Sequence, residues 1–283
     1  LWTEFMWVYI GTMFLMVVVS LWLMFGRWGD IKLGKPEDDP EFSLLSFFSM
    51  MFSAGIAAGV VFWGPAEALN HYANVPPLVG AEAGTSAAAV GAIQYTLFHW
   101  GISYWVPYLI VAIPIAYYAF RKDAPMRVST LIAPFVGVDN LDGFWAKTID
   151  VLAVFATIGG IATTLGFVGR QFLTGLEYTA GISLGDGGTV LVITGLTVAF
   201  TVSVTLGVKK GIARVSLFNM GVFAALAVVT FLLGPTNYIM NTGLQAVGGG
   251  FSEFVSMSLY TNATGTGEWV GNWTVFYWAW VFS

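Results

Sequence analysis

The chain has 283 residues, of which 57% are hydrophobic and 10% charged, with a mean hydropathy of +0.77. A soluble domain carries about 25% charged residues, so this composition excludes one and points to a polytopic membrane protein. A net charge of −5 without a long basic tract excludes nucleic acid as a partner, and the absence of cysteine excludes disulfides and thiolate metal sites.

Six apolar runs approach the roughly 20 residues that a spanning helix needs. Segment A covers residues 5–25, B 44–62, C 92–120, D 149–168, E 190–206 and F 215–233. A seventh run opens near Trp273 and reaches Ser283. A helix ending at mid-bilayer would leave its last carbonyls unsatisfied, so the native chain is expected to continue. The start at Leu1 leads to the matching expectation at the N-terminus. The expected architecture is an all-α membrane protein with about six spanning helices and the start of a seventh.

The basic residues test this division. Arg27, Lys32 and Lys35 follow A; Arg121, Lys122, Arg127 and Lys147 follow C; Lys209, Lys210 and Arg214 follow E. These are 10 of the 11 Lys and Arg, and the loops after B, D and F hold Arg170 alone. By the positive-inside rule the A–B, C–D and E–F loops are cytoplasmic.

Segment B carries small residues at mid-membrane depth, Ser53-Ala54-Gly55-Ile56-Ala57-Ala58-Gly59, followed by Gly64-Pro65. Close helix packing is one reading. The other is irregular backbone lining a cavity, of the kind that offers carbonyls to cations and amides to carboxylates. Glu67 and His71 lie just beyond, on the outer side, placed to gate or to face water.

Segment C holds Trp100, Tyr104, Trp105 and Tyr108. At about 100° per residue, Trp100, Tyr104 and Tyr108 step round by about 40° each, and Trp105 falls about 140° from Trp100. One flank of a buried helix would then carry four large aromatics and no charge. Two readings stand: aromatic packing, or a cage for a cation that cannot donate hydrogen bonds, such as a quaternary ammonium. His99, inside the same segment, is either a neutral histidine bonded within the bundle or a proton relay or substrate contact.

Segment D carries Thr157, Gly159, Gly160, Thr163 and Thr164. Such threonines usually bond their own preceding turn or a neighbour, and the other reading is that one or two coordinate an ion. Asp150 suits the positive end of the dipole at the start of this helix. After F, residues Phe251, Phe254, Val255 and Leu259 recur at helical spacing and predict an interfacial amphipathic helix, with Gly248-Gly249-Gly250 as a hinge or turn before it. No HExxH, P-loop, GxSxG or paired-carboxylate arrangement is present, which argues against an enzyme.

Three stretches together resemble one family, the betaine/choline/carnitine transporters. The first runs from Pro40-Glu41-Phe42-Ser43 through Met51-Phe52-Ser53-Ala54-Gly55 to Phe62-Trp63-Gly64-Pro65-Ala66-Glu67. The second is Phe98-His99-Trp100 with Trp105 and Tyr108, and the third is Gly271-Asn272-Trp273-Thr274-Val275-Phe276-Tyr277-Trp278-Ala279-Trp280. The resemblance implies a fragment of a twelve-helix, LeuT-type inverted-repeat transporter. Residues 1–42 would be the second helix and a cytoplasmic loop, 43–235 the first inverted repeat, and 236–283 an outer amphipathic helix and the start of the second repeat. It further implies a multi-pass protein of the cell membrane, often a homotrimer.

The function implied is secondary active import of a quaternary-ammonium or zwitterionic compatible solute, of the glycine betaine, choline or carnitine type, with sodium as coupling ion. Trp100, Trp105 and Tyr108 match the family's aromatic box for a trimethylammonium group. The amides of Gly55, Ala57 and Gly59 would hold a carboxylate. The carbonyls of Ser53 and Ile56 match one sodium site, and Thr157 matches a second. Three departures bear on these roles. Gly55-Ile56-Ala57-Ala58-Gly59 stands where sodium-coupled members usually read Gly-x-Gly-x-Gly. Trp280-Val281 stands where the family usually has two adjacent tryptophans, which leaves one wall of the box apolar but not aromatic. Ile161 stands where a second threonine often completes the second sodium site, which weakens that site. The alternatives are proton-coupled or exchange transport of the same solutes, and an onium-gated sensor or channel.

Overall fold

The structure is a computed structural model that describes residues 4–55 and 58–281. No strand occurs among the described residues. The helices are α1 (Met6–Phe25), α2 (Leu44–Gly55), α3 (Ala58–Ala73), α4 (Ser86–Trp100), α5 (Ile102–Lys122), α6 (Ala133–Val136), α7 (Phe144–Ala180), α8 (Gly185–Thr205), α9 (Ala213–Leu233), α10 (Thr236–Ser252), α11 (Phe254–Ser258), α12 (Glu268–Val270) and α13 (Phe276–Val281). Five stretches are long and apolar enough to cross a membrane: Met6–Phe25, Ser86–Lys122, Phe144–Ala180, Gly187–Thr205 and Ala213–Leu233. The pair Leu44–Gly55 and Gly59–Ala73 brings the number to six when it is taken as one span. These stretches overlap segments A to F.

The contacts divide the chain into two units. The first comprises Leu1–Asp38, Gly64–Thr157 and Met240–Ser283. Its core joins α1, α4 and the C-terminal stretch. Met6, Ile10, Met13, Val17 and Ser20 recur every three or four residues on α1 and form its buried stripe. That stripe meets Tyr95 and Phe98 of α4 and Val270, Val275, Tyr277, Trp278 and Val281 further on. The second unit comprises Asp39–Trp63 and Ile158–Ile239. Within it α2 lies along α9, with Phe52 edge-on to Phe223 at 5.1 Å and the Ser53 hydroxyl donating to the Ser216 carbonyl at 3.3 Å.

Within the first unit Arg121, just past the apolar part of α5, donates to the carbonyls of Gly34 (2.7 Å) and Lys32 (2.8 Å) in the A–B loop. Within the second, Lys209 of the E–F loop pairs with Glu41 of the A–B loop at 3.2 Å. Each basic loop therefore meets the one expected on its own side.

Four local expectations are corrected. Segment C is not one helix: α4 stops at Trp100 and α5 restarts at Ile102, because Gly101 has extended ψ (−140°) and a Cβ there would meet the Leu97 carbonyl. Segment D extends to Ala180 and ends where Gly181, at φ +69°, donates to the Glu177 carbonyl. Gly248, Gly249 and Gly250 are not a hinge but lie inside α10. A Cβ on Gly249 would strike the amide end of the Gln94 side chain. Of the predicted interfacial face, Phe251, Val255 and Leu259 are exposed, as such a face requires, but they are divided between α10 and α11, and Phe254 packs on the core.

Asp150 does not begin a helix either, since α7 starts at Phe144. Its carboxylate instead accepts from the Ser129 amide and hydroxyl, both at 2.8 Å, and pairs with Arg127 at 3.3 Å. It thereby ties α7 to the connection after α5.

Candidate functional site

The helix break at Gly101 sets the aromatic geometry. Trp100 closes α4, and Tyr104, Trp105 and Tyr108 fall on the first turns of α5. Across the break the rings still form a continuous series. Trp100 lies 4.9 Å from Tyr104, Tyr104 lies 5.1 Å from Trp105, and Trp105 lies 5.9 Å from Tyr108. The Trp105 indole N–H donates to the Trp100 carbonyl at 3.0 Å, so a carbonyl freed by the break is satisfied by a site residue. Trp280 stands edge-on to Trp100 at 5.9 Å. The flank is not uniformly buried, however. Tyr104 is 7% exposed, but Trp105 is 37% and Tyr108 48% exposed.

Below Tyr108 a cleft of about 640 Å³ runs along α5, lined by Tyr108, Pro107, Val111, Phe120, Met126 and Val281 among others. Two expected site residues, Tyr108 and Val281, thus share one apolar hollow. Trp100 and Trp105 do not line it.

The other expected residues are placed as follows. Ile56 and Ala57 lie outside the described residues. Gly55 ends α2 and Gly59 lies in the first turn of α3. Ser53 Oγ also accepts from Asn219 Nδ2 at 3.4 Å. Thr157 donates its hydroxyl to the Ala153 carbonyl at 2.8 Å, and Thr163 does the same to Gly159 at 2.9 Å. That is the local back-bonding expected of threonines in a spanning helix.

One cluster was not legible in the sequence. Glu67, His71 and His99 are each 0% exposed. Glu67 and His71 were expected on the outer side, to gate or to face water; they do not face water but are buried inside the first unit. Glu67 Oε1 accepts from His71 Nε2 at 3.0 Å and from His99 Nδ1 at 2.5 Å. Its Oε2 accepts from Trp100 Nε1 at 2.8 Å. His99 Nε2 is hydrogen-bonded to Thr274 Oγ1 at 2.9 Å, in the π turn Gly271–Val275. Three N–H donors replace the water that a carboxylate would otherwise need. Glu67 and His71, four apart, share one face of α3, which is why both reach the same place.

Glu67 Oε1, His71 Nε2 and His99 Nδ1 lie within 4.8 Å of one another, close enough to suggest a metal. The hydrogen bonding argues otherwise. A metal-bound His71 would have to bury an Nδ1–H, and that nitrogen has no partner among the described residues. With Nε2–H donating to Glu67, Nδ1 needs no proton and its isolation costs less. The cluster is therefore a hydrogen-bonded carboxylate–imidazole group that joins α3, α4 and the π turn to the back of Trp100.

Comparison with known proteins agrees with the residues quoted above. The profile of the betaine/carnitine/choline family transporter matches residues 1–283. The glycine betaine transporter OpuD of Bacillus subtilis (strain 168) is 42% identical over 282 residues, covering 99% of this chain and 54% of its own length. The ectoine/hydroxyectoine transporter of Virgibacillus pantothenticus is 37% identical over 98% of this chain and 54% of its own. The osmo-independent choline transporter BetT1 of Acinetobacter baylyi (strain ATCC 33305 / BD413 / ADP1) is 35% identical, over 98% and 52%. The chain thus spans about half the length of the curated relatives it matches. These relatives are named as transporters, a class without catalytic chemistry, and with five to six apolar spans and a profile match from end to end this chain belongs to the betaine/carnitine/choline family of multi-pass membrane transporters.

Proposed function

We propose that the protein takes part in secondary active import of a compatible solute carrying a quaternary ammonium or similar onium group. The observation that carries this reading is the continuous series Trp100–Tyr104–Trp105–Tyr108, with Trp280 beside Trp100. A permanently methylated cation donates no hydrogen bonds, and ring faces are the surface that stabilises it after it leaves water; each contributes about 1–2 kcal/mol when desolvated. The half-exposed faces of Trp105 and Tyr108 are the ones available to a solute or to a further wall of the box. Gly55, Ala57 and Gly59 are assigned to a solute carboxylate through backbone amides. Ser53, Ile56 and Thr157 are assigned to sodium. The domain assignment that goes with this reading is a first inverted repeat over 43–235, within a homotrimeric, twelve-helix protein of the cell membrane.

The names of the relatives support the solute class: glycine betaine, ectoine/hydroxyectoine and choline are all small zwitterions or cations. A second reading replaces sodium by protons. It is favoured by Glu67, His71 and His99, since a buried carboxylate held by imidazoles is the chemistry of a proton carrier at membrane depth.

The test is uptake into proteoliposomes by the full-length protein. Concentrative uptake of glycine betaine or choline driven by an inward sodium gradient supports the first reading, and uptake driven by a proton gradient alone supports the second. No concentrative uptake of any onium or betaine solute under either gradient rules out both.

A further inference from the structure

We infer that Glu67 is a positioning residue for the onium site: by accepting the indole N–H of Trp100, it sets the angle at which that ring meets the solute. The inference rests on the cage reading above. The polar edge of Trp100 is tied to a charged group. Its Nε1 donates to Glu67 Oε2 at 2.8 Å, across 33 positions of sequence. The acceptor is itself immobile. Glu67 is 0% exposed, and its other oxygen is held by His71 and by His99. His99 is held in turn by Thr274. The carboxylate therefore cannot swing, and the hydrogen bond it takes fixes both the torsion and the flip of the indole.

Trp100 stands 4.9 Å from Tyr104, tilted at 39°, and 4.9 Å from Tyr277, edge-on at 67°. A ring held only by such contacts could still rock about its side-chain torsions. The N–H bond removes that freedom, and a cation–π contact depends on which face is presented. A first-contact ring held by a fixed acceptor is the arrangement by which binding sites avoid ordering costs on ligand arrival.

The test uses the full-length protein and a double-mutant cycle on choline and glycine betaine affinity, with thermal unfolding as the control for folding. Glu67→Met removes the acceptor. Loss of a charge-assisted hydrogen bond that orients a binding group should weaken onium binding about tenfold or more. Glu67→Gln keeps an acceptor for Trp100; its NH₂ then requires both histidines in their other tautomers, which lowers stability in the unfolding control, while onium affinity should stay within about threefold of the parent. Trp100→Phe keeps a ring but no N–H. In the W100F background, E67M should cost nothing further in affinity, because the bond through which Glu67 acts is already gone. Should E67M fail to fold, Glu67→Asp, which withdraws the carboxylate by one methylene, replaces it in the same cycle with the same expectation.

Equal losses from E67M (or E67D) in the parent and W100F backgrounds would overturn the inference and leave Glu67 a packing residue. So would an E67Q affinity as poor as that of E67M. If the parent itself binds no onium solute, the cage reading fails and the inference with it.

Discussion

His99 Nδ1 donates to Glu67 Oε1 at 2.5 Å, joining α4 to α3 across 32 positions of sequence. Removing one N–H donor from a buried carboxylate leaves it under-solvated, at a cost of about 1–3 kcal/mol. His99→Leu should therefore destabilise the protein by that amount, measured by unfolding in mixed micelles. A loss below about 1 kcal/mol would mean that Glu67 is not held as a carboxylate at all.

The glycines of α10 make a second prediction. Gly248 and Gly250 have open space where a Cβ would stand, and Gly249 faces Gln94. If all three are helical, Gly248→Ala and Gly250→Ala should be neutral or should stabilise by up to about 1 kcal/mol. Gly249→Leu should destabilise by about 1–3 kcal/mol through overpacking. Were the triplet a hinge, the two alanines would cost stability as much as the leucine.

Asp150 makes a third. Ser129 is 0% exposed, and its amide and hydroxyl both donate to this carboxylate. Asp150→Ala should cost about 1–3 kcal/mol, because two donors lose their acceptor in a buried place. A loss limited to a few tenths of a kcal/mol would fit a helix-dipole role instead.

Membrane sidedness can be read directly, because these 283 residues hold no cysteine and an introduced thiol is unique among them once any cysteine elsewhere in the full-length protein is replaced. Lys35→Cys and Asp139→Cys should react with an impermeant thiol reagent only from the cytoplasmic side. Gly80→Cys and Thr264→Cys should react only from the outside. Reaction of Lys35→Cys from outside would invert the topology.

Much of this arrangement was legible from residue order. The five to six spans follow from apolar runs, and the pairing of basic loops follows from charge. The Arg121 bonds to Lys32 and Gly34 and the Lys209–Glu41 pair give that pairing an atomic form. Segment boundaries slipped where an apolar run and a helix differ. Polar residues 170–180 contain no proline, so α7 continues past its hydrophobic part, whereas Gly101 breaks a run that hydropathy reads as continuous.

The Glu67 cluster was hidden for a different reason. Periodicity places a side chain on a face of its own helix but does not say which face of another helix it meets. Glu67 and His71 share a face four residues apart, and His99 precedes Trp100, but only packing brings the two pairs together. The single available hint was that His99, an ionisable residue inside an apolar run, needs a buried partner.

The central claim is that the rings of α5 bind an onium group and are not packing residues. Trp105 and Tyr108 test it best, because they are 37% and 48% exposed and contribute little to the core. The decisive measurement is calorimetric titration of choline and glycine betaine into the full-length protein carrying Trp105→Ala or Tyr108→Ala, with unfolding temperature recorded alongside. Each substitution should weaken onium binding about tenfold, as loss of one desolvated cation–π contact requires, with an unchanged unfolding temperature. Unchanged affinity in both variants, or affinity lost only in step with stability, would contradict the account.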